Sequence, residues 1–354
     1  MRAAVFSHLC AVVLLLLLGG CPAAPQPALP DLRGSGAGGL ADLAPLVDAA
    51  LCVPPQASRS PPAAVAVLPD EGLAPYVATI NKAQRSLRVF SYLMGSGDVL
   101  DALKQKAMAG LSVRVILDQG QSANQKYATQ LTDAGATVLW SDPRWSYMHA
   151  KVLIADDSEA TVSTGNYSAY YNGRERNFVV TLRDPVDLKD LSDLFEADWA
   201  RKEPSLGCTR LLVSPINSKA RLLLLVRSAR KTLIIESMQF AETELRGAVA
   251  ERKAAGVDVR VLLADPSWIT ANTAAAAFLQ QQGIPVRWLA SPDAHVKALV
   301  VDADSEGQAY AGSENLSYTS LTRNREVGVI LSEPAAVKTI RDTFEKDWAT
   351  GKAF

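Results

Sequence analysis

Two stretches of the chain have almost the same sequence: residues 149–156 read HAKVLIAD, and residues 295–302 read HVKALVVD. Each begins with a histidine, has a lysine two positions later and ends on an aspartate after an apolar run. Residues two apart on a β-strand face the same side, so each histidine and its lysine project together while the alternate apolar residues fill a core. The two stretches therefore predict a pair of strands, each presenting one imidazole and one ammonium group.

The similarity extends beyond these strands and indicates an internal repeat. Upstream of the histidines, matching residues are 146 positions apart, as are Pro69 and Pro215. Downstream they are 149 positions apart, as are Asn166 and Asn315. The three additional residues fall within residues 303–308, a polar segment typical of a hairpin tip, where insertions are tolerated best. A constant offset with one small insertion indicates duplication and fusion of a single unit.

Helical and extended patterns alternate within each half. In the first half we expect helices over 73–85, 99–109, 123–134 and 188–199, and strands over 87–92, 112–118, 137–140, 151–155, 160–164 and 178–182. This alternation predicts an α/β fold in which helices cover both faces of a mixed sheet. We expect two tandem α-β-α sandwich domains, residues 57–205 and 206–354, related by a pseudo-twofold axis.

The N-terminus has the features of an export signal. The apolar run Ala11–Leu18 is shorter than the roughly 20 residues that a membrane-spanning helix needs. Residues 18–21 read LGGC, which resembles the bacterial lipobox. We therefore expect a lipoprotein signal peptide over 1–20, with lipid on Cys21 anchoring an exported protein. An ordinary signal peptide with an incidental cysteine is the alternative.

The segment 21–56 is rich in Pro, Ala and Gly over its first part, which predicts a tether from the lipid, followed by a short helix over 40–51. The anchored protein is expected on the periplasmic or cell-surface side, with the outer membrane favoured. Outside Cys21 and the signal peptide, the remaining cysteines are Cys52 and Cys208. In an oxidising compartment an even pair predicts a disulfide, and two separate buried thiols are the alternative.

Beyond the signal peptide the chain has two histidines, His149 and His295, at equivalent places in the repeat. Histidine is the side chain suited to proton transfer and nucleophilic attack near neutral pH. The accompanying Lys151 and Lys297 would neutralise the oxygens of an anionic ester as charge develops. No metal is expected, because the sequence has no further cluster of histidines or cysteines to bind one.

Both stretches resemble the His-x-Lys-x4-Asp motif of the phospholipase D superfamily. In that family a Gly-Ser-x-Asn segment follows, and residues 312–315 read GSEN while residues 163–166 read STGN. The resemblance implies two phospholipase D-like domains around one site, with His149 as nucleophile and His295 as general acid and base. It further implies a set of groups that bind the phosphate: Lys151, Lys297, Asn166, Asn315, Thr164 and Ser313. Asp156 and Asp302 are expected to be structural.

In this family a carboxylate orients each histidine. The second half supplies Glu326, whereas the aligned residue of the first half is Asn177. Glu175 lies two residues earlier on the same strand face, so the partner of His149 stays open. Glu175 is equally well explained as a solvated surface charge.

The resemblance implies a metal-independent phosphodiesterase without cofactors, which hydrolyses phospholipids or transfers their phosphatidyl group to an alcohol. The alternatives are a nuclease of the same superfamily, a cardiolipin synthase-like phosphatidyltransferase and a non-catalytic binding module. A net charge of −1 argues against a dedicated nucleic-acid binder, although a local basic cleft would support the nuclease. We expect a monomer whose halves form an internal pseudo-dimer, with phospholipid as substrate and the lipid anchor as its membrane contact.

Overall fold

The computed structural model describes residues 58–304 and 307–354. The expected signal peptide, Cys21, the tether, its short helix and Cys52 lie outside the described residues. Cys208 is disulfide-bonded, and its pairing with Cys52 stays a prediction.

The first half begins with an edge strand and then alternates helices and strands as its sequence pattern predicts. Its elements in chain order are β1 (Ala64–Leu68), α1 (Ala74–Lys82), β2 (Ser86–Ser91), α2 (Asp98–Met108), β3 (Ser112–Leu117), α3 (Asn124–Asp133), β4 (Thr137–Trp140), β5 (Val152–Ala155), β6 (Glu159–Ser163), α4 (Ala169–Asn172), β7 (Glu175–Leu182) and α5 (Pro185–Trp199).

The second half repeats this order with two additional short strands, β12 and β16. Its elements are β8 (Leu211–Ser214), α6 (Ser218–Ser228), β9 (Thr232–Ser237), α7 (Thr243–Ala254), β10 (Asp258–Ala264), α8 (Ala271–Gln281), β11 (Val286–Leu289), β12 (Asp293–Ala294), β13 (Lys297–Val301), β14 (Gln308–Gly312), α9 (Tyr318–Thr322), β15 (Glu326–Leu331), α10 (Pro334–Thr350) and β16 (Lys352–Ala353).

Each half forms a mixed sheet, so the predicted fold class is confirmed. The strand order is β1-β7-β6-β5-β2-β3-β4 in the first sheet and β16-β11-β10-β9-β13-β14-β15-β8 in the second. Strands β2, β3 and β4 are parallel, as are β9, β10 and β11. Strand β5, which follows Lys151, pairs antiparallel with β2, and β13, which begins with Lys297, pairs antiparallel with β9. Helices that follow parallel strands cover the outer face of each sheet.

One apolar core lies between the two sheets and contains residues from both halves, among them Phe195 of α5 and Phe344 of α10. Two further cores lie under the outer helices, one for each half. Both α5 and α10 begin with a proline, which lacks the N–H that a helix start leaves unpaired. Both closing helices contribute side chains to the core between the sheets and so hold the sheets against each other.

Strands from one half also pair with the sheet of the other. The short strand β12, immediately before His295, pairs in parallel with Glu175 and Arg176 of β7. In the first half Met148, immediately before His149, forms the equivalent bridge with Arg325. Each histidine is therefore held at the junction of the two sheets by the backbone of the opposite half.

The clearest differences from the sequence-based elements occur at strands β1, β8 and β7. The edge strands β1 and β8 were not predicted, and they pair with β7 and β15. Strand β7 begins at Glu175 rather than at 178, because its polar start is buried against the other half instead of forming a loop.

Asp156 and Asp302 lie at the ends of the histidine-bearing segments, in the left-handed conformation with φ of 52° and 50°. The side chain of Asp156 accepts hydrogen bonds from the backbone N–H groups of residues 84, 85 and 86. That of Asp302 accepts from residues 230, 231 and 232. Both aspartates thus fix a turn far from the histidine rings, which is a structural role. Among the described residues no helix is long and apolar enough to cross a membrane.

Candidate active site

The two histidines and two lysines meet in one buried site between the halves. His149 and His295 are 8% and 5% exposed, and both lysines are fully buried. Lys151 and Lys297 each lower the pKa of both histidines, which places all four groups within one electrostatic neighbourhood. The predicted pairs are therefore brought together.

The His149 ring is tied to a carboxylate of the second half. Its Nδ1 lies 2.7 Å from Oε2 of Glu326. The other oxygen of Glu326 accepts hydrogen bonds from the Ser320 hydroxyl and, at 2.9 Å, from the Asn324 amide. With Nδ1 engaged, Nε2 is the ring nitrogen left for a reacting group.

The His295 ring is tied to an amide of the first half. Its Nδ1 lies 2.9 Å from Oδ1 of Asn177 and 3.4 Å from the nearer carboxylate oxygen of Glu175. The Asn177 amide nitrogen donates to Glu175 at 3.2 Å, and the Thr164 hydroxyl donates to Asn177 Oδ1 at 2.8 Å. These contacts fix which end of the amide faces the histidine.

This exchange across the repeats settles the open question about His149 and corrects the sequence-based view of the carboxylates. Sequence order associated Glu326 with the second-half histidine, but it contacts His149. Glu175 is 5% exposed and belongs to the surroundings of His295, so it is not a solvated surface charge. The physical reason is the cross-sheet pairing, which brings the start of β7 beside His295 and the start of β15 beside His149.

The lysines are positioned to meet an anion. Lys151 Nζ donates to the His149 carbonyl at 2.5 Å, and Lys297 Nζ donates to the His295 carbonyl. Within the described ranges neither ammonium has a carboxylate at ion-pair distance. Burial lowers the pKa of Lys151 well below its usual value and that of Lys297 to about 7. An anionic ligand would offset this cost of burial and stabilise the charged form of both.

Asn166 and Asn315 have amide oxygens that are buried and accept no hydrogen bond from the described residues. A phosphate-binding role would use their amide nitrogens, because an amide oxygen accepts hydrogen bonds and cannot bind a phosphate oxygen. Thr164 differs from the expectation: its hydroxyl proton goes to Asn177, while its oxygen accepts from the Phe178 N–H. Ser313 likewise accepts from the Val327 N–H. Thr164 therefore holds the network around His295 rather than the phosphate.

Two aromatic side chains that the sequence did not single out line the histidines. Tyr92 meets the His149 ring edge-on with centroids 4.5 Å apart, and Trp268 stacks on His295 at 6.3 Å. The aligned residues of the opposite halves are Ser122 and Met238, so the comparison of the repeats gave no signal for either position.

Two buried ion pairs cross between the halves behind the histidines. Arg176 of β7 contacts Asp347 at 2.5 and 2.9 Å, and Arg325 contacts Asp198 at 2.8 and 3.0 Å. These pairs are equivalent at the 149-residue offset, so the repeat in the sequence marks them as corresponding residues. They hold the backbone that carries the orienting residues.

The family described as "Cardiolipin synthase, PLD-like domain" matches residues 76–199 and 222–348. The chain belongs to this family.

Curated PLD-like relatives are also similar. The cardiolipin synthase of Clostridium perfringens (strain SM101) is 24% identical over 321 residues, covering 76% of this chain and 66% of the relative. Cardiolipin synthase 1 of Bacillus cereus is 23% identical over 333 residues, covering 79% of this chain and 65% of the relative. The chain thus spans just under two thirds of the length of these relatives.

Two solved structures share the PLD-like fold of this chain. Phosphatidylserine synthase of Haemophilus influenzae has a TM-score of 0.65 at 14% identity, covering 84% of this chain and 88% of the other. Polyphosphate kinase of Porphyromonas gingivalis has a TM-score of 0.65 at 16% identity, covering 80% and 47%. At this identity the likeness concerns the fold.

The PLD-like site has no metal-binding cluster of three or more His, Cys, Asp or Glu side chains in the part of the chain that the structure describes. Its positive charge comes from Lys151, immediately before β5, and from Lys297, the first residue of β13. Lys297 Nζ lies 3.2 and 3.3 Å from the two ring nitrogens of His295. Two imidazoles, two ammonium groups and the amides of Asn166 and Asn315 suit an in-line displacement at a phosphodiester.

Proposed function

We propose that this PLD-like protein transfers the phosphatidyl group of a phospholipid through a covalent phosphohistidine, without metal or cofactor. The observation that carries the proposal is the pair of buried histidines, each held at Nδ1 by the opposite half. Each is accompanied by an ammonium group that has no carboxylate at ion-pair distance among residues 58–304 and 307–354. Such a pair can divide nucleophilic attack from proton transfer.

In the first step His149 Nε2 attacks phosphorus while the bond from phosphorus to the head-group oxygen breaks. His295 gives its Nε2 proton to that oxygen, and the head-group alcohol leaves. In the second step His295 takes a proton from the acceptor hydroxyl. The acceptor oxygen bonds to phosphorus, and the bond to His149 breaks. Lys151, Lys297 and the amides of Asn166 and Asn315 stabilise the charge on the non-bridging oxygens in both steps.

The acceptor separates two versions of this proposal. On the sequence alone, hydrolysis with water as acceptor is the first expectation. The similar proteins are named cardiolipin synthases, which supports an alcohol carried by a second lipid as acceptor. We therefore place transfer to a lipid alcohol first and hydrolysis second.

The test uses the full-length protein with EDTA on vesicles of phosphatidylglycerol and of phosphatidylcholine, and on plasmid DNA. Products are separated by mass spectrometry. Cardiolipin and glycerol indicate transfer, whereas phosphatidic acid indicates hydrolysis. His149→Gln and His295→Gln should each abolish turnover, and the exposed Lys189→Ala serves as the matched control.

DNA cleavage without lipid turnover would replace the proposal with a nuclease that uses the same residues. If wild type cuts no diester, or if the histidine variants remain as active as wild type, the non-catalytic binding module takes its place.

We also propose that the protein is an exported lipoprotein held at a membrane through Cys21, on the strength of the LGGC segment. Metabolic labelling with a fatty acid should mark wild type but not Cys21→Ser. Labelling of both would contradict the proposal.

A further inference from the structure

The two halves contain the same three residues in opposite order beside the site. Residues 175–177 read ERN, and residues 324–326 read NRE. The central Arg176 and Arg325 are equivalent at the 149-residue offset and make equivalent ion pairs across the halves. The flanking glutamate and asparagine have exchanged places.

Position for position, the geometry of the two segments is the same. The residue after each arginine contacts a histidine of the opposite half: Asn177 at 2.9 Å from His295, and Glu326 at 2.7 Å from His149. The residue before each arginine bonds to the residue after it. Glu175 accepts from the Asn177 amide at 3.2 Å, and the Asn324 amide donates to Glu326 at 2.9 Å. Only the chemistry is reversed: one histidine contacts a carboxylate and the other an amide.

This reversal makes the two imidazoles unequal. A hydrogen bond from Nδ1–H to a carboxylate is charge-assisted and roughly twice as strong as one to a neutral amide oxygen. It stabilises a ring that carries positive charge. A histidine with phosphorus on Nε2 and hydrogen on Nδ1 is such a ring. An amide also fixes the Nδ1–H tautomer, but it holds a proton on Nε2 less strongly.

We propose that Glu175 and Asn177 are positioning residues that make His295 the proton carrier, while the direct contact of Glu326 makes His149 the residue that bonds to phosphorus. The assignment of roles rests on the proposed function. In the first step a P–N bond forms at His149, the P–O bond to the leaving alcohol breaks, and the Nε2 proton of His295 moves to that oxygen. The second step reverses each change with the acceptor alcohol.

The contacts of Thr164 support this reading. Its hydroxyl donates to the Asn177 oxygen, which also accepts from His295, and the amide nitrogen is left to donate to Glu175. The amide cannot turn over without losing these hydrogen bonds together. Asn177 is therefore held as an acceptor toward His295.

The charges around each ring agree in direction. Burial is the largest influence on both histidines and lowers both pKa values. Burial, with the charges of Lys151 and Lys297, lowers the pKa of His149 to about 4, although the carboxylate of Glu326 raises it in part. For His295 the charges of Lys297, Lys151 and His149 lower the pKa well below its usual value, and Glu175 stands 3.4 Å from Nδ1. Burial raises the pKa of Glu175, and the charge of Asp293, on the strand before His295, adds to this effect.

The test exchanges the residues without changing composition or net charge. Glu175→Asn with Asn177→Glu gives the first half the order of the second, and Asn324→Glu with Glu326→Asn does the converse. The full-length protein contains three histidines, so ¹⁵N-histidine NMR titration can follow each ring after assignment with His149→Gln and His295→Gln. This readout needs no turnover.

In wild type we expect His149 to titrate at a higher pH than His295. The Glu175/Asn177 exchange should raise the pKa of His295 by about one pH unit, and the Asn324/Glu326 exchange should lower that of His149 by a similar amount. A wild-type His295 that titrates above His149, or exchanges that leave both values unchanged, would overturn the proposal.

Kinetics separate positioning from a merely structural role. With a phospholipid, whose alcohol needs a proton to leave, the Glu175/Asn177 exchange should move the alkaline limb of the kcat/KM profile upward by about one pH unit. With bis(p-nitrophenyl) phosphate, whose leaving group needs no proton, that limb should stay in place. The Asn324/Glu326 exchange should slow both substrates at least tenfold, because it weakens the covalent step itself.

Rapid quench and mass spectrometry should find the phosphoryl group on His149 in wild type. Phosphoryl on His295 in wild type would contradict the assignment of roles. A protein that cuts no diester would end both the proposed function and the assignment of roles, while the titration would still measure whether the partner exchange makes the histidines unequal.

Discussion

The first and second halves have the same fold but differ in where they bury acidic side chains. The second half has Glu236, Glu314 and Glu326 in positions where the first half has Phe90, Gly165 and Asn177. All three glutamates are at most 2% exposed. The comparison shows that the frame of strands and turns is symmetric, whereas the electrostatics are not. Duplicated folds can therefore keep their geometry while the environment of each reacting group diverges.

The largest expected effect concerns the crossed ion pairs. Asp198→Ala should lower the free energy of unfolding by about 3–5 kcal/mol, because it leaves the fully buried Arg325 without its carboxylate. Asp347→Ala should cost clearly less. Burial raises the pKa of Glu236, and the neighbouring charges of Asp347 and Arg176 act on it as well, so Glu236 can ionise to replace the lost carboxylate. Arg176 also lies 3.5 Å from the carboxylate of Asp70.

Urea unfolding of both variants measures this difference. Removing both partners, with Asp198→Leu and Arg325→Met, should cost less than Asp198→Ala alone. Equal losses for Asp198→Ala and Asp347→Ala would show that Glu236 gives no compensation, and this asymmetry between the halves would disappear.

The lysines test whether the halves contribute equally to the site. Lys151→Met and Lys297→Met should each lower kcat/KM by about 10²–10³-fold, because each removes one cation from the developing phosphate charge. The double variant should fall by less than the product of the two, since both act on one phosphate. Steady-state kinetics with Lys189→Ala as control would show a multiplicative loss if the two lysines served separate sites.

Glu314 should make stability depend on pH through a carboxyl group that has no counterpart at the equivalent position, Gly165, of the first half. Burial raises its pKa to about 8, so the folded protein keeps a proton that the unfolded chain releases near 4.5. Stability therefore decreases as pH rises from about 5 to 8. Glu314→Gln should remove this decrease. Over that pH range its free energy of unfolding should rise relative to that of wild type by a few kcal/mol at most.

Unfolding curves at pH 5 and pH 8 provide the measurement, with the exposed Glu251→Gln as control. The Gln side chain can still bond to Ser218 and Tyr310, which now contact the carboxyl group. A variant whose stability follows that of wild type across the range would show that Glu314 is already ionised at pH 5.

The smallest effect should be the same in both halves. Asp156→Ala and Asp302→Ala each remove the acceptor of three backbone N–H groups at a partly exposed turn, and should each cost about 1–2 kcal/mol. The corresponding Asn variants should cost less, because asparagine accepts a hydrogen bond and tolerates positive φ. Thermal unfolding that gives clearly unequal losses for the two aspartates would break the symmetry of the frame itself.

The repeat predicted much of this frame. Strand β4 was placed at its observed bounds, and most other elements were placed within three residues, because apolar periodicity and turn residues are local signals. The edge strands β1 and β8 are short and follow proline-containing segments that suggest loops. The beginning of β7 reads as a loop because Glu175, Arg176 and Asn177 are polar, and only contacts with the other half explain their burial.

The sequence predicted which residues form the site better than it predicted which of them contact each other. The offset of the repeat identifies equivalent residues, so His149, His295 and their lysines could be found from sequence. It does not tell which side of the pseudo-twofold axis a side chain faces. The partner of each histidine therefore could not be assigned. The hydrogen bond from Thr164 to Asn177 could not be predicted either, because it depends on how their two segments are placed in space.

Each histidine depends on the opposite half for the group that holds its Nδ1. In evolutionary terms this dependence means that a substitution in one copy affects the histidine of the other. A substitution at Glu326 is exposed to selection through His149, and one at Asn177 through His295. Loss of either copy would take away the group that holds the histidine of the other, so these contacts favour the inheritance of both halves as one unit.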